Sequence, residues 1–354
     1  MSKTPFDPNA ASTADSGIFG LPHAEAEAAL VYLPVPWEAT TSYGGGTSRG
    51  PAAILEASRQ VDLYDLEVLR PYEPGLHMLP ESGQVLAWNE EAKAAAQRVI
   101  EVGGEIGSDA GLAGDLATVN ALGGRLNEFV LSETRRLFQA GKIPGIVGGD
   151  HSVPFGAIEA AAQLHADFGV LHFDAHSDTR DAYEGFEWSH ASIMHNVLEH
   201  IPQVTKLVQV GIRDVCEQEI DYCRAQGSRV EVFFDRDLQR RKLEGEPWAV
   251  MAREMIARLP RDVWISFDID GLDPRFCPNT GTPVPGGLDF QEANYVVGAL
   301  VRSGRRIIGF DLNEVAPDLA NPDNEWNQNV GARMLYKLSA WTLASQGRAR
   351  LVEA

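Results

Sequence analysis

A chain of 354 residues with 44% hydrophobic and 23% charged side chains has the make-up of a globular protein with a sizeable core. Its formal net charge of −20 argues against nucleic acid or an anionic membrane as partner and favours the approach of small cations. The longest apolar runs, 168–173 and 206–212, have strand length and fall far short of the roughly 20 residues of a membrane span.

The first twenty residues are rich in Ser, Ala, Asp and Pro and lack a basic region followed by an apolar segment. They read as part of a flexible lead-in over 1–27, ahead of one domain over 28–354, and not as a secretory signal. From there short β-rich runs alternate with longer helical patterns. Strands are expected at 29–35, 75–79, 143–147, 169–173, 206–210, 229–234, 263–267 and 306–311. Helices are expected at 51–65, 90–102, 116–139, 153–164, 190–200, 217–226, 247–259, 290–302 and 329–344. Pro51 suits a first helical turn, and Gly141, Gly227 and Gly304 follow helical runs as stops. The alternation predicts an α/β fold with a parallel sheet covered by helices. Cys216, Cys223 and Cys277 form no CxxC pair and are odd in number, which fits free thiols in a reducing cytoplasm.

Open parallel sheets bind ligands beyond the carboxyl ends of their strands, and three such ends carry clustered acids and histidines. After 143–147 comes Gly148-Gly149-Asp150-His151-Ser152, where two glycines are expected to let the chain turn sharply and present His151. After 169–172 comes Phe173-Asp174-Ala175-His176-Ser177-Asp178. In an extended chain the spacing of Asp174, His176 and Asp178 puts all three on one side, able to converge on metal ions in one pocket. After 263–267 come Asp268 and Asp270, again two apart; paired carboxylates at a buried strand end are costly unless partnered or metal-bound.

GGDHS, DAHSD and SFDIDGLDP resemble the three metal-binding signatures of the ureohydrolase family, which contains arginases, agmatinases and related guanidino hydrolases. The resemblance extends to YGGGTSRGP at 43–51, GIRD at 211–214, GTPVPGG at 281–287 and DLNEVAP at 311–317, and covers about residues 30 to 345. It implies a three-layer αβα sandwich around an eight-stranded parallel sheet, which agrees with the strand count above. It implies two divalent ions, with His151 and Asp178 on one, His176 and Asp270 on the other, and Asp174 and Asp268 bridging. Four carboxylates suit Mn²⁺, while two imidazoles also admit Ni²⁺ or Co²⁺. Further roles come from motif position: Asp178 also orients the attacking water, His190 shuttles a proton near the usual imidazole pKa of about 6.5, and Glu314 pairs with the guanidinium of the substrate. Thr282 is expected to accept a hydrogen bond beside that group. Family members are commonly trimers or hexamers, so a homo-oligomer is expected; a non-catalytic partner role in a hetero-oligomer of related subunits is the reading from a different class.

The loop after DAHSD departs from arginases: it reads TRDAYEGFEW over 179–188 and lacks their Asn and Ser, and Cys216 stands where they have an acidic residue. Arginine is therefore disfavoured. The acids and aromatics of this loop point to a small cationic guanidino substrate, guanidine or an alkylated guanidine first and agmatine next. Arg180 is the feature that would receive a carboxylate in a guanidino-acid hydrolase, and Trp326, near the start of the last helix, is expected to narrow the pocket.

Overall fold

The computed structural model describes residues 6–41 and 43–353. Ten strands occur among them: β1 (Leu30–Val35), β2 (Val68–Leu69), β3 (Leu76–Met78), β4 (Ile143–Gly148), β5 (Phe168–Phe173), β6 (Val204–Ile212), β7 (Val230–Phe234), β8 (Asp262–Asp268), β9 (Arg306–Asn313) and β10 (Arg350–Leu351). Eight of them form one all-parallel sheet in the order β3-β1-β4-β9-β8-β5-β6-β7. β2 and β10 make a separate antiparallel pair. The helices are α1 (Gly50–Ser58), α2 (Gly83–Ile100), α3 (Ala110–Gln139), α4 (Phe155–Ala162), α5 (Ile193–His200), α6 (Glu217–Ala225), α7 (Asp235–Leu243), α8 (Trp248–Ala257), α9 (Phe290–Arg302) and α10 (Trp326–Ser345).

The near-continuous apolar runs of the central strands require cover on both faces, and the pleat divides them between two cores. Val147, Leu171 and Ile265 pack with α1, α8, α9 and α10, while their neighbours Ile146, Val170 and Trp264 pack with α2, α3, α4 and α5. The result is the three-layer αβα sandwich expected from sequence. No helix among the described residues is long and apolar enough to cross a membrane.

Several elements differ from expectation: α2 and α3 begin earlier, at Gly83 and Ala110, β2 and β10 were not expected, and the lead-in, α1, α7 and the last helix also depart from it. Residues before 28 are not loose throughout: Ile18, Phe19 and Leu21 are buried in the larger core, and the Phe19 ring meets that of Tyr336 at 4.9 Å. The same segment explains the early end of α1, since the amide of Phe19 donates to the Ser58 hydroxyl at 2.9 Å. α7 was not expected because its nine residues carry one deeply buried apolar side chain, Leu238, among charges. The last helix begins three residues earlier than expected, at Trp326.

The strand order is what gathers the three motifs. β4, β9, β8 and β5 are consecutive neighbours, so the loops after all four open beside one another.

Candidate metal centre and active site

The end of β4 is built around two close approaches. A Cβ on Gly149 would lie 1.9 Å from the Trp37 carbonyl oxygen, and one on Gly148 2.0 Å from Asn313 Oδ1. Neither glycine has positive φ. Their role is therefore to let other chain segments approach, and not the sharp turn expected from sequence.

This packing delivers His151 to the mouth of the sheet. Its Nδ1 faces three carboxylates, Asp174 Oδ2 at 3.0 Å, Asp178 Oδ2 at 3.3 Å and Asp268 Oδ2 at 3.3 Å. A second imidazole, His176, places its Nδ1 3.1 Å from Asp270 Oδ2 and 3.4 Å from Asp174 Oδ1. Asp174 thus turns one oxygen toward each histidine, as a bridging carboxylate does. All six residues singled out from the three motifs meet here.

The donor set fits divalent cations. Four carboxylates crowd within a buried space, and Asp270 Oδ2, though 3.1 Å from His176 Nδ1, has no well-aligned hydrogen bond among the described residues. Two of them resist ionisation: burial first, and then the charge of Asp174, pushes Asp178 up to about 8. Burial together with Asp270 and Asp174 holds Asp268 well above the carboxylate range. A pair of cations removes that penalty, and the absence of thiolate among the donors suits Mn²⁺, Ni²⁺ or Co²⁺.

Two backbone conformations mark the same place. Asp178 (φ 55°) and Glu314 (φ 64°) adopt the left-handed region, which is uncommon outside glycine and clusters at functional sites. In that conformation the Asp178 carbonyl accepts from the amides of Met194 at 2.9 Å and His195 at 3.2 Å, tying the site to the start of α5. Glu314 Oε1 accepts from the His151 amide at 2.9 Å. Its other oxygen, Oε2, is buried with no hydrogen-bond partner among the described residues, beneath Gly281, whose Cβ, if present, would lie 2.7 Å from it.

Outside the centre lies a cavity of about 260 Å³ lined by His176, Asp178, Arg180, Tyr183, His190, Asp214, Glu219 and Thr282 among others. His190 begins the 3-10 turn that precedes α5, and Thr40 Oγ1 lies 3.2 Å from its Nδ1. Burial, with the nearby His176 and His151 charges, pushes His190 down to about 4, so it rests neutral and not near 6.5 as expected. Arg180 stacks on Tyr183, 5.1 Å from guanidinium carbon to ring centroid, and places Nε 3.7 Å from Glu219 Oε2. Thr282 is in the wall as expected.

Trp326 is not. It is 48% exposed, and its indole donates to the Arg275 carbonyl at 2.9 Å, which holds it away from the cavity. Cys216 is likewise absent from the lining, because it caps α6, its amide donating to Glu219 Oε2 at 3.0 Å.

The sequence reading missed Tyr43 and Glu219 in this wall, and Thr40 behind His190. It also missed four residues beneath the centre, His172, Gln209, Ser266 and Asp311, all buried. His172 Nε2 lies 2.8 Å from Asp174 Oδ2, and His151 Nε2 lies 2.8 Å from Ser266 Oγ. Ser266 and Asp311 stand inside the SFDIDGLDP and DLNEVAP runs, while for His172 and Gln209 the one signal was a polar residue between apolar neighbours.

A family model described as the arginase family matches residues 28–340, a span that holds every one of these groups. The chain belongs to the arginase family. It is therefore a ureohydrolase, an enzyme acting on a guanidino C–N bond, with a candidate binuclear centre of histidines and aspartates. It is 32% identical to the N(1)-aminopropylagmatine ureohydrolase of Synechocystis over 326 residues, 91% of each chain. It is 33% identical to the protein of that name from Thermus thermophilus over 294 residues, 82% of this chain and 84% of the other. Among solved structures, the proclavaminate amidino hydrolase of Streptomyces clavuligerus has the same fold, with a TM-score of 0.71 at 22% identity, covering 95% of this chain and 99% of that one.

Proposed function

We propose that this ureohydrolase releases urea from guanidine or a small alkylated guanidine. The observation that carries the substrate class is the state of the outer wall, where the Arg180 guanidinium is stacked on an aromatic ring and faces a carboxylate that is itself hydrogen-bonded to the backbone. Arg180 lies between the Tyr183 ring and Glu219. Glu219 in turn accepts from the amides of Thr179 at 3.1 Å and Cys216 at 3.0 Å. A tail bearing both charges would find few free partners, and a site gains nothing from groups it cannot bond.

His151 and Asp178 would hold one divalent ion, His176 and Asp270 the other, with Asp174 and Asp268 shared. Two such ions supply Lewis acidity that makes water a competent nucleophile at neutral pH. The remaining work falls to the chain. Glu314 Oε2, without a partner among the described residues, accepts N–H bonds from the planar guanidinium and fixes its orientation. Asp178 accepts a hydrogen bond from the attacking water. His190, neutral at rest, takes up a proton given up by the attacking water and delivers it to the leaving nitrogen as the tetrahedral carbon collapses. Thr282 accepts a hydrogen bond at the cavity wall.

A second reading, a longer cationic guanidine such as agmatine or N(1)-aminopropylagmatine, is favoured by the names of the relatives and by Asp214 in the wall. Urea release from guanidine, methylguanidine, agmatine, N(1)-aminopropylagmatine, 4-guanidinobutyrate and L-arginine, with Mn²⁺, Ni²⁺ and Co²⁺ supplied in turn, separates the two. Guanidine or methylguanidine is expected to exceed arginine by at least about 100-fold in kcat/KM, the scale of one or two lost charged contacts. Preference for arginine overturns the argument from the wall; preference for a polyamine-like substrate establishes the second reading.

A further inference from the structure

Directly beneath the metal centre a row of polar side chains crosses four adjacent strands. Gln209 of β6 is in register with His172 of β5, His172 with Ser266 of β8, and Ser266 with Asp311 of β9. In-register residues of a parallel sheet share a face, so the four form one line. All four are fully buried, each between buried apolar neighbours along its strand. A polar row at the centre of a sheet costs stability unless each member is satisfied, and here each is.

The hydrogen bonds of the row have a definite sense. The Ser177 carbonyl lies 2.6 Å from one end of the Gln209 amide, and because a carbonyl only accepts, that end is the nitrogen. The Ser177 hydroxyl donates to Gln209 Oε1 at 3.0 Å, which agrees. Gln209 Nε2 therefore donates to His172 Nδ1 at 3.0 Å. With Nδ1 an acceptor, the neutral His172 ring carries its proton on Nε2, and that proton points to Asp174 Oδ2 at 2.8 Å. At the other end Ser266 donates to Asp311 Oδ1 at 2.8 Å and meets His151 Nε2 at 2.8 Å.

We infer that His172 is a positioning residue, clamped by Gln209, whose Nε2–H fixes the bridging carboxylate of Asp174 and thereby sets the affinity of the centre for its ions. The inference rests on the two-ion reading above. Outer-shell partners of metal ligands typically govern affinity by 10- to 100-fold, about the effect expected here.

The test is Mn²⁺ binding by chelator competition, with no substrate present, on the full chain. His172→Met removes the donor and is expected to weaken Mn²⁺ binding about 10- to 100-fold. His172→Gln, which restores an N–H near the position of Nε2, is expected to recover most of that loss. Gln209→Met keeps His172 and all six ligands but also releases Ser177. It frees the tautomer and is expected to weaken binding about 10-fold while its His172 ¹⁵N shifts move away from the pure Nε2–H form, the shift change being the part that loss of the Ser177 bonds alone would not produce. This variant keeps the inference testable if His172→Met fails to fold. Wild-type Mn²⁺ affinity in His172→Met or Gln209→Met overturns it. So does failure of His172→Gln to recover binding, which assigns the ring to packing, or a lower imidazole count in X-ray absorption of Mn²⁺-loaded His172→Gln, which makes His172 a ligand. A wild-type chain that binds no Mn²⁺, Ni²⁺ or Co²⁺ overturns instead the two-ion reading itself.

Discussion

The floor of the site and its outer wall are built by different means. The floor stands on the ends of four neighbouring strands, and each of its side chains is held by at least one buried partner: His151 by Ser266, Asp174 by His172, Glu314 by the His151 amide. The wall is assembled from loops, by Arg180 and Tyr183 after β5, Asp214 after β6, and Thr282 after β8. Rigid strand ends fix a chemistry, while loops set over them can change what is admitted without disturbing it. This division explains how proteins named for different guanidino compounds share one fold with this chain.

The contrast breaks most severely if a floor residue can be lost without cost. Asp268→Asn removes one of the three carboxylates around His151 Nδ1 and leaves the residues of the wall in place. It is expected to lose bound metal, by elemental analysis, and to drop turnover by about 1000-fold or more, equivalent to roughly 4 kcal/mol of barrier. Two ions and full turnover in this variant would sink the assignment of the centre.

Glu314→Gln tests a floor residue that is not proposed to touch metal. Replacing the free Oε2 and its charge is expected to lower kcat/KM by about 100-fold or more, the scale of a lost hydrogen bond between ionised groups, with metal content unchanged. A fall in metal content instead would show that Glu314 acts by supporting His151 through its amide.

His190 sits where floor and wall meet. His190→Ala is expected to slow turnover about 100-fold, the usual contribution of a positioned proton donor or acceptor, and again to keep both ions. Unchanged turnover would make His190 a structural residue joined to Thr40. Loss of metal would place it among the ligands.

The same division governs how much could be read in the sequence. The floor's ligands were legible because each lies just past an apolar run, and acids two residues apart at a strand end demand an explanation. The eight strands were legible for the same reason. The row of His172, Gln209, Ser266 and Asp311 was not, because each stands singly beside apolar neighbours, Ser266 and Asp311 inside motifs read for other residues, and only the register of four strands shows that they align. Burial of the lead-in from Ile18 was hidden by its polar surroundings, and α7 by its charges. Trp326 was misplaced since chain proximity to a predicted helix start says nothing of which way an indole turns; the Arg275 carbonyl decides that.

The smallest expected effect belongs to the wall, and it sharpens the contrast most. Arg180 is about one-third exposed, stacked on Tyr183 and 3.7 Å from Glu219, a long contact that leaves its pairing weak. Partly exposed pairs of this kind contribute about 0–1 kcal/mol. Arg180→Ala is therefore expected to change kcat/KM for guanidine or methylguanidine by less than about 10-fold, since neither substrate carries a group for the guanidinium to hold. A guanidino acid is different: an enzyme using Arg180 to grip its carboxylate loses a charged hydrogen bond worth about 1.5–3 kcal/mol, or roughly 10- to 150-fold. Measuring the variant on methylguanidine and 4-guanidinobutyrate side by side gives a ratio that does not depend on metal loading. A ratio unchanged from the wild type supports a wall that merely shapes the cavity; a selective collapse on the acid assigns Arg180 as a carboxylate anchor and overturns the small-cation reading of the wall.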